Sequence, residues 1–478
     1  MRVHSVMRLL VLGGLAAAMV LSGSTDASSG ATTRVSVDSA GNEANERSNA
    51  GALSEDGRYV AFESSATNLI PGFAYHNVFL LDRQTGSLEH VGTGGGGSEP
   101  GGGAFELSDD ARFIAFESGF RIYVRDRLSG VTDLASVDST GVPLSCSGGS
   151  QCDQRVPSID GAGRYVAFHW YRQGQGWHIV IRDRQEGTTW VTPFGGIFPK
   201  LSDDGRYVVY SDGSIGPPSG AVSIIDITTQ QSEPLPLNGY ATVSAEGRYV
   251  ATAYKWYDRQ QLSLALPVCV SSAGEQANAI CGSDGSTMGR GVDMDAAGRY
   301  VVFQSAASNL AAGDANGTWD VFVRDMETGT TAMLSTTPAG VAGNGDSTNP
   351  SIAGDGCYVV FQSEASDLVP GDTNAVSDVF VVGNPLHDDD CTAMPTPTPT
   401  STATPTPTRT LTPTATATPK PQGVGGIVML PSAAVAAQAG AQAGDSRTSS
   451  QAVGVFATGA AAILFAVVGR RLRRRLAR

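Results

Sequence analysis

A short sequence recurs seven times along this chain, and its repetition restricts the fold more than any other feature. Its clearest copy reads Asp-Gly-Arg-Tyr-Val at residues 56–60, and successive copies are 54, 52, 42, 42, 51 and 58 residues apart. Repeats of roughly 40 to 50 residues are typical of propeller blades. The seven copies begin at Asp56, Asp110, Ala162, Asp204, Glu246, Ala297 and Asp355.

Each copy has the chemistry of a β-hairpin. Asp-Gly is a favoured tight-turn pair, because glycine adopts a positive φ without a steric penalty. The residues that follow alternate aromatic with β-branched side chains, as at residues 59–62, and another strand follows in most repeats, as at residues 78–82. The 59 glycines agree with many short strands joined by turns. The sequence therefore predicts an all-β chain, a β-propeller of seven four-stranded blades over residues 31–391.

The two ends of this region are predicted to share one blade. Residues 35–41 resemble residues 135–141 and 268–274, which follow the second and fifth copies as outer strands. The last blade lacks such a strand after Val382. We therefore expect the N-terminal segment to complete that blade, which would leave no open sheet edge.

The Ser-x-Asp-Gly-Arg-Tyr-Val turn and strand resemble the repeats of TolB-type propellers, which are distant relatives of the WD-repeat proteins. The resemblance covers roughly residues 31–385 and implies the propeller fold. That family includes binding proteins and non-catalytic domains of peptidases, so the resemblance implies no single activity. The chain departs from WD-repeat proteins because no Trp-Asp pair ends its strands, and Trp319-Asp320 stands at the start of one.

The N-terminus has the features of a secretory signal. Residues 1–27 are predicted to be a signal peptide, because Arg2 and Arg8 provide positive charge beside an apolar stretch at residues 9–21. Small residues follow this stretch, as a cleavage site requires. We therefore expect an exported protein.

The sequence changes abruptly after the propeller. Residues 392–422 form a Pro/Thr-rich linker that should be an extended stalk, and residues 423–451 form a flexible spacer. Residues 452–469 are apolar and long enough for one transmembrane helix. The Arg-rich tail at residues 470–478 should stay in the cytoplasm, which would place the propeller outside the cell on a membrane anchor.

The charge balance argues against nucleic acid as a partner. The formal net charge is −14, and residues 24–469, between the basic ends, contain 24 basic against 46 acidic residues. Affinity for nucleic acid comes mainly from Lys and Arg on phosphates, so this surface should repel it. An acidic surface attracts cations and basic partners, although solubility alone is the simpler explanation.

Export makes the six cysteines candidates for disulfides. Six cysteines allow 15 pairings, and closeness in sequence favours one of them as a hypothesis. Zinc is the rival use, although the chain has no Cys-x-x-Cys pair and only 6 His. The favoured pairs are Cys146–Cys152, Cys269–Cys281 and Cys357–Cys391.

Two twinned loops are the best candidate metal site. Residues 313–320 read Gly-Asp-Ala-Asn-Gly-Thr-Trp-Asp, and residues 371–378 read Gly-Asp-Thr-Asn-Ala-Val-Ser-Asp. Side-chain oxygens at three matching positions of each loop are the type of ligand that calcium needs. The alternative is that they only cap turns by accepting backbone hydrogen bonds. The predicted calcium ligands are Asp314, Asn316, Asp320, Asp372, Asn374 and Asp378.

A third loop is rich in aromatic residues. Exposed rings there could stack on sugars, and the alternative is ordinary packing inside a blade. In a four-stranded blade, loops between the second and third strands lie on the same side as the loops between blades. We call this side the loop-rich face and predict that it binds the partner. The residues of the aromatic loop are His169, Trp170, Tyr171, Trp177 and His178.

The order of signal, propeller, stalk and anchor predicts a non-catalytic cell-surface protein. It would bind an extracellular protein or glycan through the loop-rich face, with calcium ordering the twinned loops. The alternative is an extracellular carbohydrate-active hydrolase or lyase with a central propeller site. The sequence has neither a Gly-x-Ser-x-Gly elbow nor a His-Glu-x-x-His motif. The first suspects for catalysis are therefore the loop acids Asp314, Asp320, Asp372 and Asp378.

Overall fold

The structure is a computed structural model. The predicted signal peptide, linker, spacer, transmembrane helix and Arg-rich tail lie outside the residues that it describes, as do Cys146 and Cys152. Within the described part, no helix is long and apolar enough to cross a membrane. The described residues are 31–73, 77–92, 104–144, 154–172, 174–212, 220–261, 265–282, 291–388 and 391.

The described residues form seven four-stranded sheets, which confirms the predicted seven-bladed propeller. The strands are β1 (Thr33–Arg34), β2 (Ser48–Leu53), β3 (Tyr59–Ser64), β4 (Asn77–Asp82), β5 (Ser87–His90), β6 (Phe105–Leu107), β7 (Phe113–Ser118), β8 (Arg121–Asp126), β9 (Val131–Leu134), β10 (Gln154–Ile159), β11 (Tyr165–Arg172), β12 (Gly176–Asp183), β13 (Thr188–Gly195), β14 (Ile197–Leu201), β15 (Tyr207–Ser211), β16 (Ala221–Asp226), β17 (Gln231–Asn238), β18 (Thr242–Val243), β19 (Tyr249–Ala251), β20 (Lys255–Asp258), β21 (Leu266–Pro267), β22 (Val292–Met294), β23 (Tyr300–Ser305), β24 (Asp320–Asp325), β25 (Thr331–Met333), β26 (Ser347–Ile352), β27 (Tyr358–Ser363) and β28 (Asp378–Gly383). Blades one to six consist of β2–β5, β6–β9, β10–β13, β14–β17, β18–β21 and β22–β25, and blade seven consists of β26–β28 with β1.

The strands of each blade are antiparallel, and in blades one to six they follow one another in sequence. The repeated Asp-Gly turn joins the first strand to the second, and in blade one its Gly57 has a φ of +66°. A side chain at Gly57 would also collide with the neighbouring blade, because an added Cβ would lie 2.5 Å from Cδ2 of Tyr358. Glycine is therefore required there both by the turn and by the packing between blades.

The ring closes through the N-terminal strand, as the sequence predicts. Strand β1 pairs with β28, so that Arg34 lies opposite Phe380 and Thr33 lies opposite Val381. The Val35 amide continues this ladder by donating to the carbonyl of Val379 at 2.8 Å. Blade seven therefore contains both ends of the described chain, and its outer edge is covered by β1.

The repeated arginines stabilise the scaffold. The guanidinium of Arg58 donates two hydrogen bonds to the carboxylate of Asp82 at the end of the third strand, and it also lies over the ring of Tyr59. Such planar two-bond pairs fix geometry as well as adding energy. The same pair recurs as Arg112–Asp126, Arg164–Asp183, Arg206–Asp226, Arg248–Asp258 and Arg299–Asp325.

Candidate functional site

The first strands of the blades surround a central tunnel. A cavity of about 110 Å³ lies in it, and its lining includes the rings of Phe105, Phe198 and Tyr240. The charged groups Glu106, Lys200 and Asp293 come from three different blades and line the same cavity. A concave space with aromatic walls and a few polar groups is the usual form of a small-ligand site.

Three first strands bulge where they line this tunnel. Val156, Phe198 and Asn349 have φ values of +53°, +54° and +54°, although none of them is glycine. Each lies at a register shift in its strand pairing, and each precedes a proline. A bulge turns side chains out of the regular alternation, and backbone strain of this kind concentrates at functional sites. Sequence reasoning missed these positions, although Pro157, Pro199 and Pro350 stand at the same distance before the repeated turn in three blades.

The tunnel charges are held by specific partners. Lys200 forms an ion pair with Glu106. Burial alone would lower the pKa of the Lys200 ammonium, but Glu106 and Asp293 hold that pKa above its ordinary value, so the lysine stays charged. Asp293 accepts hydrogen bonds from the hydroxyls of Thr242 at 3.1 Å and Ser351 at 2.8 Å.

A second group of acids lies toward the end of the tunnel that carries the Asp-Gly turns. Glu55, Asp109 and Asp203 occupy the same position of the repeated turn in blades one, two and four, and they line one cavity. Burial raises the pKa of Asp109 to about 7, with further increases from Asp203 and Glu55. Burial raises the pKa of Asp203 to about 6 although Lys200 lowers it. Among the described residues that line this cavity, Lys200 is the only cation, so the group is net negative.

An aromatic row crosses the loop-rich face and enters the tunnel. Ring centroids are 5.1 Å apart for Tyr171 and Trp177, 4.8 Å for Trp177 and His169, and 5.4 Å for His169 and Phe198. Phe198 continues the row to Tyr240 at 4.6 Å. We call these five residues the aromatic row. Tyr171 is 39% exposed and Trp177 is half-buried.

The aromatic loop predicted from sequence is thus divided between two roles. Trp170 is buried and belongs to a hydrophobic core. For this residue the alternative of ordinary packing therefore applies, and its ring is not free to stack on a sugar. Nδ1 of His178 lies 3.1 Å from the carbonyl oxygen of Thr192, which belongs to the same blade. Tyr171 and Trp177 remain partly open to solvent. Phe198 and Tyr240 join them only because the ring folds blades four and five against blade three.

The twinned loop of blade seven surrounds an arginine. Arg34 lies in β1. Its Nη1 is 2.8 Å from a carboxylate oxygen of Glu43, 3.4 Å from one of Asp372 and 3.6 Å from one of Asp378. Asn374 donates to Asp378 Oδ2 at 2.9 Å. Burial raises the pKa of Asp372 and of Asp378, and in both cases Arg34 opposes the shift. Two of the predicted calcium ligands, Asp372 and Asp378, therefore lie against a protein cation.

The twinned loop of blade six has no such arginine. Asp320 is fully buried at the start of β24, and its Oδ1 accepts a hydrogen bond from the hydroxyl of Ser335 at 2.7 Å. Its Oδ2 accepts no hydrogen bond of normal geometry from any residue that the structure describes. Burial raises the pKa of Asp320 to about 6, Ser335 and Asn316 lower it, and Asp314 raises it further.

Two of the predicted disulfide pairs fall within the described residues. Cys269 is joined to Cys281, which confirms that pair. The structure also joins Cys357 to Cys391, which ties the end of the propeller to blade seven. Cys357, His387 and Cys391 lie close enough together to resemble a metal site, but a disulfide leaves no thiolate for a metal.

The fold and the tunnel define a seven-bladed β-propeller. Similar structures include an oligogalacturonate lyase in complex with manganese, with 14% identity, coverage of 76% of this chain and 95% of that chain, and a TM-score of 0.47. They also include TolB from Agrobacterium tumefaciens (14% identity, coverage of 71% and 91%, TM-score 0.35) and the propeller domain of the Trilobed protease from Pyrococcus furiosus (11%, coverage of 74% and 99%, TM-score 0.45). No family model and no curated protein matches the chain.

Proposed function

We propose that this protein is a non-catalytic binding propeller, exported and membrane-anchored, that captures an extracellular glycan through its loop-rich face. The aromatic row carries the proposal. Its rings lead from the partly exposed Tyr171 and Trp177 into the tunnel through Phe198 and Tyr240. Aromatic faces provide large apolar area beside polar edges, which suits the alternating CH and hydroxyl surfaces of a sugar ring.

The polar groups beside the row support the same proposal. Glu106, Lys200, Asp293 and Asn349 line the tunnel next to the aromatic rings. Sugar hydroxyls both donate and accept hydrogen bonds, so a mixture of carboxylate, ammonium and amide groups complements them. An extended chain lying on the exposed rings could direct one end into the tunnel, whereas a protein partner would need only the outer part of the face.

The test is binding of the full chain, in detergent, to a panel of soluble neutral and acidic polysaccharides by titration calorimetry. Trp177→Ala should weaken binding about fivefold, because one stacked ring contributes on the order of 1 kcal/mol. Leu128→Ala is the control, since Leu128 is 75% exposed in a turn on the opposite face. Absence of binding across the panel, or equal affinity of the Trp177→Ala variant, would contradict the proposal.

The alternative function, a carbohydrate-active hydrolase or lyase, has one observation in its favour. The acids Asp109 and Asp203 have raised pKa values in a cavity near the axis, and shifted carboxyls are characteristic of catalytic sites. The loop acids suspected from sequence are less suitable, because Asp320 and Asp378 are fully buried. Polysaccharide turnover that is lost in Asp109→Asn would favour the enzyme, and binding without turnover would favour the proposed binder.

A further inference from the structure

Blades one, six and seven each have a pair of residues at equivalent positions, one on the third strand and one on the outer strand. In each blade, the first residue of the third strand lies opposite the serine that ends the second strand. Two residues further on, a phenylalanine lies opposite an outer-strand residue. The pairs formed by the third-strand residue and that outer-strand residue are Asn77 with His90, Asp320 with Met333, and Asp378 with Arg34.

Two of these pairs are polar on both sides. His90 Nε2 lies 2.9 Å from Asn77 Oδ1, which is the distance of a hydrogen bond. Arg34 lies between Asp372 and Asp378. In blade six the outer-strand residue is Met333, whose thioether carries no charge and is buried in the hydrophobic core. The same position therefore holds a cation in blade seven and an apolar group in blade six.

The acids of blade six consequently have no protein counter-ion within their loop. Asp320 is fully buried, and its Oδ2 accepts no hydrogen bond of normal geometry from the described residues. Asp314 and Asp346 add negative charge to its surroundings. Asp346 also accepts a hydrogen bond from the Trp319 amide at 2.9 Å. A buried carboxylate that has hydroxyl and amide neighbours but no counter-ion is costly to keep ionised, so the site favours either a proton or a cation.

We propose that the loop of blade six binds one calcium ion between Asp314 and Asp320, and that Arg34 takes the place of that ion in blade seven. The cation would lie against Asp320 Oδ2, as Arg34 Nη1 lies 3.6 Å from Asp378 Oδ2. The six predicted ligands would therefore form one calcium site and one arginine site.

The donor atoms of blade six favour calcium over softer metals. Asp314, Asn316 and Asp320 offer only oxygen ligands, and calcium takes six to eight oxygens at flexible geometry. Thr318 adds a buried hydroxyl oxygen that has no hydrogen-bond partner among the described residues. Blade seven has Val376 at that position, which agrees with a site that needs no further oxygen.

The loop itself provides a spectroscopic probe. Trp319 directly precedes Asp320, whereas Ser377 precedes Asp378, so a luminescent lanthanide bound in blade six would receive energy from a neighbouring indole. We expect terbium added to the full chain in detergent to luminesce on tryptophan excitation and to be displaced by calcium. Trp319→Phe should abolish most of the luminescence and leave calcium binding, measured by calorimetry, at one equivalent.

Exchanging the two outer-strand residues tests the equivalence of the blades. Met333→Arg should abolish calcium binding, and Arg34→Met should raise it from one equivalent to two. Asp320→Asn should weaken binding at least about a hundredfold, while the matched variant Asp378→Asn should retain one equivalent. Circular dichroism of each variant identifies any that fail to fold, and Met333→Arg reproduces an arrangement that blade seven already has.

Three results would overturn the inference. Absence of calcium binding by the unmodified chain would mean that Asp320 carries a proton instead. Two equivalents in the unmodified chain would mean that Arg34 does not exclude the ion. Equal losses in Asp320→Asn and Asp378→Asn would remove the distinction between the blades. All these measurements are made without glycan, so their outcome does not depend on whether the proposed glycan binding is correct.

Discussion

Blades six and seven are close twins in sequence, yet the fold gives them different neighbours. Their second strands, β23 and β27, both read Tyr-Val-Val-Phe-Gln-Ser, and their third strands both begin Asp-Val-Phe-Val. The outer strand of blade six follows directly along the chain, whereas that of blade seven comes from the N-terminus. Identical strands therefore meet Met333 in one blade and Arg34 in the other. The comparison shows that the partner strand, more than the loop, decides what an acidic loop can hold.

The opposite ends of the two blades differ as well. In blade six, Arg299 forms the repeated ion pair with Asp325 at 2.9 Å. Blade seven has Cys357 in place of the arginine, and this cysteine is joined to Cys391. The blade that contains both ends of the described chain is thus stabilised by an arginine cluster on one face and a disulfide toward the other. Both features join segments far apart in sequence, which is what a closing blade requires.

Removing the closing strand should have the largest effect. Deletion of residues 31–40 exposes the edge of β28 and leaves Asp372 and Asp378 without Arg34. We expect the free energy of unfolding to fall by more than about 4 kcal/mol, because an open edge and unpaired buried acids combine. Urea unfolding of the full chain measures this loss, with Ser39→Ala in the exposed turn as control. An unchanged midpoint would mean that blade seven does not depend on β1.

Removing the disulfide of blade seven should be the next largest effect. Cys357→Ser with Cys391→Ser frees a loop of 34 residues, for which chain entropy predicts a loss of about 4 kcal/mol in the free energy of unfolding. Cys269→Ser with Cys281→Ser frees only 12 residues and should cost about 3 kcal/mol by the same relation. Urea unfolding of both double variants gives the ranking. A larger loss for the shorter loop would show that strain or packing outweighs entropy.

The smallest of the three effects is a pH dependence that belongs to blade six. With calcium removed by a chelator, the folded protein holds a proton on Asp320 up to about pH 6, whereas the unfolded chain releases it near the ordinary value of 3.8. The folded state therefore binds more protons between these values, and its free energy of unfolding should fall by roughly 3 kcal/mol as the pH rises through them.

Two variants separate this effect from that of the other acids. Asp320→Asn should remove this fall in the free energy of unfolding. The difference between the pH dependence of this variant and that of the unmodified chain therefore reports Asp320 alone. Asp378→Asn should change the pH dependence less, because Arg34 opposes the upward pKa shift of Asp378. Saturating calcium should abolish this fall, since the ion binds the ionised carboxylate and displaces the proton. Identical curves for all three proteins would contradict the assignment.

Much of the fold could be predicted from sequence because the turn and strand pattern of each blade is present within a single repeat. The Asp-Gly turn and the alternating strand lie together within each repeat, and the seven copies follow one another at intervals of 42 to 58 residues. Even the closing strand was recognisable, because residues 35–41 resemble the outer strands of other blades. The repeated arginines are equally local, because each pairs with the aspartate that ends the third strand of its own blade.

The candidate sites were predictable only in part. Sequence identified the twinned loops and the exposed pair Tyr171 and Trp177, since those residues are neighbours along the chain. It did not associate Arg34 with Asp378, because no local pattern links residues so distant in sequence. The tunnel was missed for the same reason. Glu106, Lys200 and Asp293 come from three blades and meet only at the axis.

The sequence by itself determined the number of blades, their turns and the acids of both twinned loops, because these depend on contacts between near neighbours. Only the tertiary structure decided which acids are neutralised by the protein and which groups face each other across the tunnel. The physical reason is that charge pairing acts over a few ångströms in space, whatever the separation along the chain. Closing the ring brings Arg34 to one loop and leaves the buried oxygen of Asp320 unpartnered in the other.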